Sequence, residues 1–96
     1  MKDESTNLFL ENLIGALYKV LAMKDVNDTT LPKYLDSLYI QLVGGSENFT
    51  VLKSNQRYVS IINVVQYFRT NEFDKDTCKR EVLKCTNILS KLSKPS

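Results

Sequence analysis

The chain has no histidine and only two cysteines, Cys78 and Cys85, among its 96 residues. Without histidine and without a closely spaced cysteine pair, it lacks the ligands and bases of most transition-metal and nucleophilic catalytic sites. Seven residues along an α-helix span roughly 10.5 Å, whereas a disulfide needs Cα atoms within about 7 Å, so these two thiols cannot pair with each other. Both fall on one apolar helical stripe, where we expect small apolar fillers rather than redox sensors. We therefore predict no enzymatic activity, no metal and no cofactor.

The chain also lacks long hydrophobic runs. No apolar stretch approaches the 18 or so residues that a membrane-spanning helix needs. The amino terminus is acidic, and Glu11 and Asn12 interrupt the apolar stretch that follows, so no signal peptide is predicted. Unpaired cysteines at core positions are typical of a reducing compartment, and we expect a cytoplasmic protein.

Positive charge is concentrated at the carboxyl end. Residues 75–96 contain six basic residues and two acidic ones, although the net charge of the chain is only +2. The basic residues are Lys75, Lys79, Arg80, Lys84, Lys91 and Lys94. This cluster indicates either an ordinary solvated helix face or a surface for an acidic partner. Nucleic acid is not predicted, because no helix-turn-helix spacing, glycine-rich clamp or aromatic platform accompanies the lysines.

Apolar residues recur at helical spacing in four segments, at about 6–23, 31–43, 55–69 and 75–92. The third segment is rich in β-branched residues, yet its apolar positions follow a helical period rather than strict alternation. Because short connections make neighbouring helices run in opposite directions, we predict an all-α fold, an antiparallel up-down-up-down four-helix bundle, as a single domain over residues 1–96.

Local signals predict where these helices begin and end. Asp74 is placed to cap the last helix, and the run Asp28-Thr29-Thr30 precedes the second. Gly44-Gly45 predicts the end of the second helix, because glycine readily adopts the left-handed conformation of a helix terminus. Residues 46–54 are less regular, and we expect a loop with one helical turn there.

The layout resembles a known family. The segments that carry the resemblance are residues 35–39 (LDSLY), 61–68 (IINVVQYF) and the short turn 70–73 (TNEF), set between an acidic first helix and an amphipathic last one. In helix order and apolar spacing the chain is similar to the cytosolic immunity proteins that protect lactic-acid bacteria and streptococci from pediocin-like class IIa bacteriocins. The resemblance is in particular to the enterocin A immunity subgroup.

This resemblance implies a non-enzymatic bundle without a small-molecule substrate. Such proteins are thought to bind the complex of a bacteriocin with the membrane subunits of the mannose phosphotransferase permease, and to block the open pore from the cytosolic side. Their carboxyl-terminal half is taken to decide which bacteriocin is countered. The implied recognition residues are Arg69, Asn71, Glu72, Phe73, Lys75, Lys79, Arg80, Lys84 and Lys91.

A different class of function stays open. Val59, Val64 and Tyr67 lie off the apolar stripe of the third segment, so that helix is either buried on several sides or presents apolar surface to a partner. In the second case the chain is a helical adaptor or small regulatory protein, including one of phage origin. Tyr18, Tyr34 and Tyr67 are expected at the surface, where a tyrosine is either a common interface anchor or an ordinary surface residue.

Overall fold

A computed structural model describes residues 4–93, and these residues form five α-helices and no β-strand. The helices are α1 (Glu4–Asp25), α2 (Leu31–Asn48), α3 (Thr50–Lys53), α4 (Gln56–Thr70) and α5 (Lys75–Ser93). The predicted all-α class is confirmed. The four long helices correspond to the four predicted segments, and α3 falls in the stretch where one helical turn was expected.

The long helices enclose one hydrophobic core. Helix α1 packs along α5 and contacts α2, while α4 packs against α2 and α5. The molecule measures 39 × 21 × 19 Å, so its long dimension is little more than the length of one long helix. The core is built mainly from the predicted stripes, and its fully buried side chains include Leu10, Leu13, Leu17, Val20, Leu35, Leu38, Leu42, Leu52, Tyr58, Ile61, Val65, Val82 and Leu89.

The predicted end of α2 at Gly44-Gly45 was wrong. Helix α2 continues to Asn48, and it ends where Phe49 becomes extended, with φ −118° and ψ 99°. Gly45 is buried inside the helix, and a Cβ built there would lie closer than 3.0 Å to the Phe9 ring and to the Tyr58 hydroxyl. Glycine is therefore needed for the close approach of α1 and α4 to α2, and not as a helix stop.

The side chain of Tyr58 joins α4 to α2. Tyr58 is fully buried, and its hydroxyl donates a hydrogen bond to the backbone carbonyl of Leu42. A buried phenol needs such a partner, because an unpaired hydroxyl in the core would lose its bonds to water. Burial raises the pKa of Tyr58 well above its ordinary value.

Side chains cap the starts of α4 and α5. Asn55 Oδ1 accepts a hydrogen bond from the backbone N–H of Tyr58 at 3.1 Å. The predicted cap at Asp74 is confirmed, since its Oδ1 accepts from the N–H of Thr77 at 2.7 Å. That bond lowers the pKa of Asp74. Both caps satisfy N–H groups that have no acceptor within their helix.

Replacing Asn55 with alanine should lower the free energy of unfolding by about 1 kcal/mol, because the first turn of α4 loses its cap. Urea denaturation followed by circular dichroism measures the loss. Gln56→Ala is the matched control, since Gln56 is the exposed neighbour inside the helix and alanine is a good helix former. Equal losses from the two substitutions would show that the Asn55 side chain contributes nothing as a cap.

Candidate partner-recognition site

An open groove of about 900 Å³ lies at the end of the molecule where the α1–α2 connection meets the α4–α5 connection. We call it the end groove. One wall comes from positions between 24 and 36, and the other from positions 68–73. Pro32 and Phe73 supply apolar surface over the buried Leu31, Leu35 and Phe68, and charged and amide side chains surround it, a composition that is common in binding sites.

Four of the residues implied in recognition line this groove, namely Arg69, Asn71, Glu72 and Phe73. Their turn is fixed by its own hydrogen bonds. Asn71 leaves the helical conformation at φ −135° and ψ 152°, and its backbone N–H donates to the carbonyl of Tyr67 at 3.0 Å. Its side-chain amide donates to the same carbonyl at 3.2 Å. The turn therefore presents these side chains from a defined backbone.

Arg69 is held against the α2 side of the groove. Its Nε donates to Asp36 Oδ1 at 2.8 Å and its Nη1 to Gln66 Oε1 at 2.6 Å. The guanidinium carbon also lies 4.3 Å from the centre of the Tyr39 ring. A planar guanidinium suits this combination of a carboxylate bond and ring stacking. Because the Asp36 side chain is 59% exposed, solvent weakens the ion pair, and we expect it to orient Arg69 more than to stabilise the fold.

The side chain of Phe73, on the other side of the end groove from Arg69, is held by ring stacking and by a cation–π contact. Its ring stacks on that of Phe68, with centres 4.4 Å apart. The ammonium of Lys24, in the last turn of α1, lies 4.5 Å from the centre of the Phe73 ring. These contacts connect the end of α1 to the α4–α5 turn and fix one wall of the end groove.

Sequence reasoning missed the half of the groove formed near the α1–α2 connection. Asn27 has a positive φ of 55°, and Asp28 Oδ1 accepts bonds from the hydroxyl of Thr30 at 2.6 Å and from its N–H at 2.8 Å. These bonds, the hydroxyl bond first, lower the pKa of Asp28. The run Asp28-Thr29-Thr30 predicted only a helix start, although both connections lie at the same end when neighbouring helices alternate in direction.

The basic residues of α5 do not form one continuous face. Lys75 and Lys79 line a shallow hollow of about 240 Å³ beside α1, together with Asp25 and Asp76. Arg80 instead lines a hollow of about 330 Å³ beside α4. The structure thus separates the implied recognition residues of α5 into two groups on either side of the helix.

The positive charges of Arg80 and Lys84 are partly neutralised by Glu81. Glu81 accepts from Arg80 Nε at 3.3 Å and lies 3.8 Å from Lys84 Nζ. Lys91 is exposed in the last turn of α5. Lys94 lies outside the described residues. Arg80 and Lys84 remain about two-thirds exposed, so both are accessible to a partner despite the contact with Glu81.

The two cysteines occupy the core, as predicted. Cys78 and Cys85 are 0% and 1% exposed. Burial raises the pKa of both thiols, in the case of Cys85 to about 12. The two thiols are therefore protonated at neutral pH and shielded from solvent, which disfavours the redox-sensor alternative.

Within residues 4–93, no three side chains of the metal-binding types cluster in a way that could hold an ion. In the same part of the chain, no helix combines the length and the hydropathy that a membrane crossing requires.

None of the family models, curated proteins or solved structures compared with the chain matches it.

Proposed function

We propose that this protein is a cytoplasmic immunity protein that protects a cell from a class IIa bacteriocin. It binds the membrane subunits of the mannose phosphotransferase permease when the bacteriocin is attached, and it blocks the open pore from the cytosolic side. The observation that carries the proposal is that all four implied turn residues (Arg69, Asn71, Glu72 and Phe73) line one open groove. A single segment of a partner can therefore contact them together.

The fold fits an antiparallel four-helix bundle in up-down-up-down order, with α3 inserted in the connection between the second and third long helices. The contacts of α1 with α2 and α5, and of α4 with the same two helices, support this arrangement. In such a bundle the α1–α2 and α4–α5 connections lie at one end. A surface formed by both connections is suited to reach a membrane receptor end-on.

The chemistry of the site favours stoichiometric binding. Aromatic and arginine side chains dominate the energy of many protein interfaces, and Phe73 and Arg69 are held in fixed orientations before any partner binds. Arg80, Lys84 and Lys91 supply exposed positive charge on α5, which speeds encounter with an acidic surface. Binding of this kind needs no catalytic group.

The proposal is tested by expressing the protein in a strain sensitive to class IIa bacteriocins and measuring survival against a panel of them. We expect survival against at least one member.

The triple charge reversal Lys79→Glu, Arg80→Glu and Lys84→Glu should weaken receptor binding about tenfold or more and lower protection accordingly. Helicity should be unchanged, because exposed charges contribute little to folding.

A matched control distinguishes the effect of losing the basic α5 surface from the effect of changing the net charge. Lys33, Lys53 and Arg57 are exposed on α2, α3 and α4, and reversing all three changes the total charge by the same amount. This control should protect as well as the original chain. Equal loss in both triple variants would contradict the assignment of the α5 residues, and no protection against any bacteriocin would contradict the function.

A second candidate function rests on the exposed side of α4. Val59 and Tyr67 are 39% and 42% exposed, and Tyr67 lines the hollow beside α5 with Val64 and Arg80. These side chains suit a helical adaptor that docks a protein partner. Gene neighbourhood separates the two functions, because an adjacent bacteriocin precursor favours immunity, whereas phage or regulatory neighbours favour an adaptor.

A further inference from the structure

A hollow of about 330 Å³ separates part of α4 from α5. It is lined by Asn63, Val64, Tyr67, Thr77, Arg80 and Glu81. Tyr67 is 42% exposed, although the next residue of α4, Phe68, is buried. A large, partly exposed aromatic side chain on a concave surface is a typical interface anchor. The hollow is therefore suited to receive an apolar side chain of a partner.

The two walls of this hollow continue along both helices. Residues that follow one another at three- or four-residue intervals lie on the same side of a helix. This spacing gives the rest of the walls as Ser60 and Arg57 on α4 and Lys84, Ile88 and Lys91 on α5. We call the surface between the walls the α4–α5 groove. Positions 77 and 91 are about 21 Å apart along α5, the length of a helix of about four turns.

The α4–α5 groove is positively charged. Its exposed cations are Arg57, Arg80, Lys84 and Lys91. Among the residues of the two walls Glu81 is the one acid, and its side chain is only 19% exposed, whereas those of Arg80 and Lys84 are 65% and 67% exposed. Asp74, at the start of α5, offsets part of the Arg80 charge. The contacts of Glu81 thus hold two cations side by side and leave them outermost.

The other long helices have the opposite balance of charge. Helix α4 contains two arginines and no acid, and α5 contains five basic and two acidic residues. Helix α1 contains two lysines and three acids, and α2 contains one lysine and two acids. The positive potential is therefore strongest over α4 and α5, and it attracts an acidic partner to this side of the molecule.

The backbone of the two walls favours a helical partner. Between positions 57 and 67 and between positions 77 and 91, N–H and C=O groups bond along their own helices, so the groove offers side chains to a partner. An extended segment lying there would bury backbone groups without partners, whereas a helix satisfies them internally.

We propose that the α4–α5 groove binds an acidic amphipathic helix of a partner protein. An apolar side chain of this helix lies in the hollow beside Tyr67, and acids four positions apart face Arg80 and Lys84, which have the same spacing. The inference rests on the binding role proposed above for these three residues. It is tested without bacteriocin, so its failure is distinguishable from a failure of protection in the survival assay.

A capped synthetic peptide of about 18 residues is the probe, because a peptide of that length can be helical in water. It carries leucines along one face and glutamates four residues apart beside them. A second peptide has lysine at each glutamate position, and a third has two central prolines. Fluorescence anisotropy with the full chain should show that the glutamate peptide binds about tenfold more tightly than either of the others. Equal binding of the lysine peptide or of the proline peptide would overturn the proposal.

Two pairs of substitutions on α5 locate the binding surface. Arg80→Gln/Lys84→Gln should weaken binding of the glutamate peptide about tenfold. Lys75→Gln/Lys79→Gln is the matched control, because it removes the same charge at the same spacing from the α1 side of α5, and it should bind as the original chain does. Circular dichroism verifies that both variants keep their helicity. Equal losses in the two variants would show that net charge alone decides binding, which contradicts the proposal.

The apolar anchor is tested in the same way. Tyr67→Ala should weaken binding about tenfold, whereas Tyr18→Ala, which removes a tyrosine that is 48% exposed on α1, should leave it unchanged. Amide chemical shifts should change along α4 and α5 when the glutamate peptide is added. Changes confined to the end groove would refute the proposed site. Changes in the α4–α5 groove on concentrating the chain alone would assign it to a second copy, and binding to anionic lipid vesicles without binding to the peptide would assign it to a membrane.

Discussion

Replacing Gly45 with alanine should lower the free energy of unfolding by about 3 kcal/mol, because the added methyl group overpacks the core. The new Cβ would come closer than 3.0 Å to the Phe9 ring and to the Tyr58 hydroxyl. Neither neighbour can move away without loss. Phe9 packs on Phe49 with ring centres 5.1 Å apart, and Tyr58 would have to release the carbonyl of Leu42. Urea denaturation at neutral pH measures the change.

Gly44→Ala is the matched control and should have the opposite sign. Gly44 is the preceding residue of the same helix, and nothing lies within 4 Å of a Cβ built there. Alanine is favoured over glycine inside a helix, so Gly44→Ala should stabilise the protein by about 0.5 to 1 kcal/mol. Equal stability of the two variants would show that α1 and α4 do not approach α2 as closely as the structure indicates.

These two glycines show why part of the fold could not be predicted from the sequence. A Gly-Gly pair after an apolar stripe is a reasonable helix stop when only local signals are visible. What requires a glycine at position 45 is the space taken by Phe9 and Tyr58, which lie 36 residues before it and 13 after it. By contrast, the cap at Asp74 and the helical period of residues 55–69 are local properties, and both predictions were right.

Only one wall of the candidate site could be predicted from the sequence. The resemblance implied Arg69, Asn71, Glu72 and Phe73, and these four residues line the end groove. The opposite wall at positions 24–36 had no signal of its own, because only the packing of α1 against α5 and of α2 against α4 brings it near the turn. A count of basic residues in α5 could not show that Lys79 lines a hollow beside α1 whereas Arg80 lines one beside α4.

Raising the pH above about 9 should destabilise the protein steeply, because three buried groups have to lose protons that the folded state holds tightly. Burial raises the pKa of Cys85 to about 12, with Glu81 adding to the rise and Lys84 opposing it. Burial also raises the pKa values of Cys78 and Tyr58. Each group stabilises the fold fully below its unfolded pKa, and this stabilisation is lost as the pH rises through the folded pKa.

The size of the alkaline effect follows from linkage. Between its unfolded pKa and its folded pKa, one such group changes the free energy of unfolding by about 1.4 kcal/mol per pH unit. From pH 9 to pH 11, Cys85 alone should therefore remove about 3 kcal/mol. Cys78 adds to the loss in the same range, and Tyr58 adds to it above about pH 10, the ordinary pKa of a tyrosine. Guanidinium denaturation at several pH values between 7 and 11 measures the slope.

The variant Cys85→Val measures how much the Cys85 thiol contributes to the pH dependence of the free energy of unfolding. Valine fills nearly the same space and cannot ionise, so we expect a small change at pH 7 and a shallower loss of stability above pH 9. Leu89→Val is the control, since Leu89 lies one helical turn away on the same stripe and is also fully buried. It should lower stability by a similar amount at every pH and keep the original slope. A Cys85→Val protein that unfolds with the original pH dependence would show that its thiol is not protected from ionisation by burial.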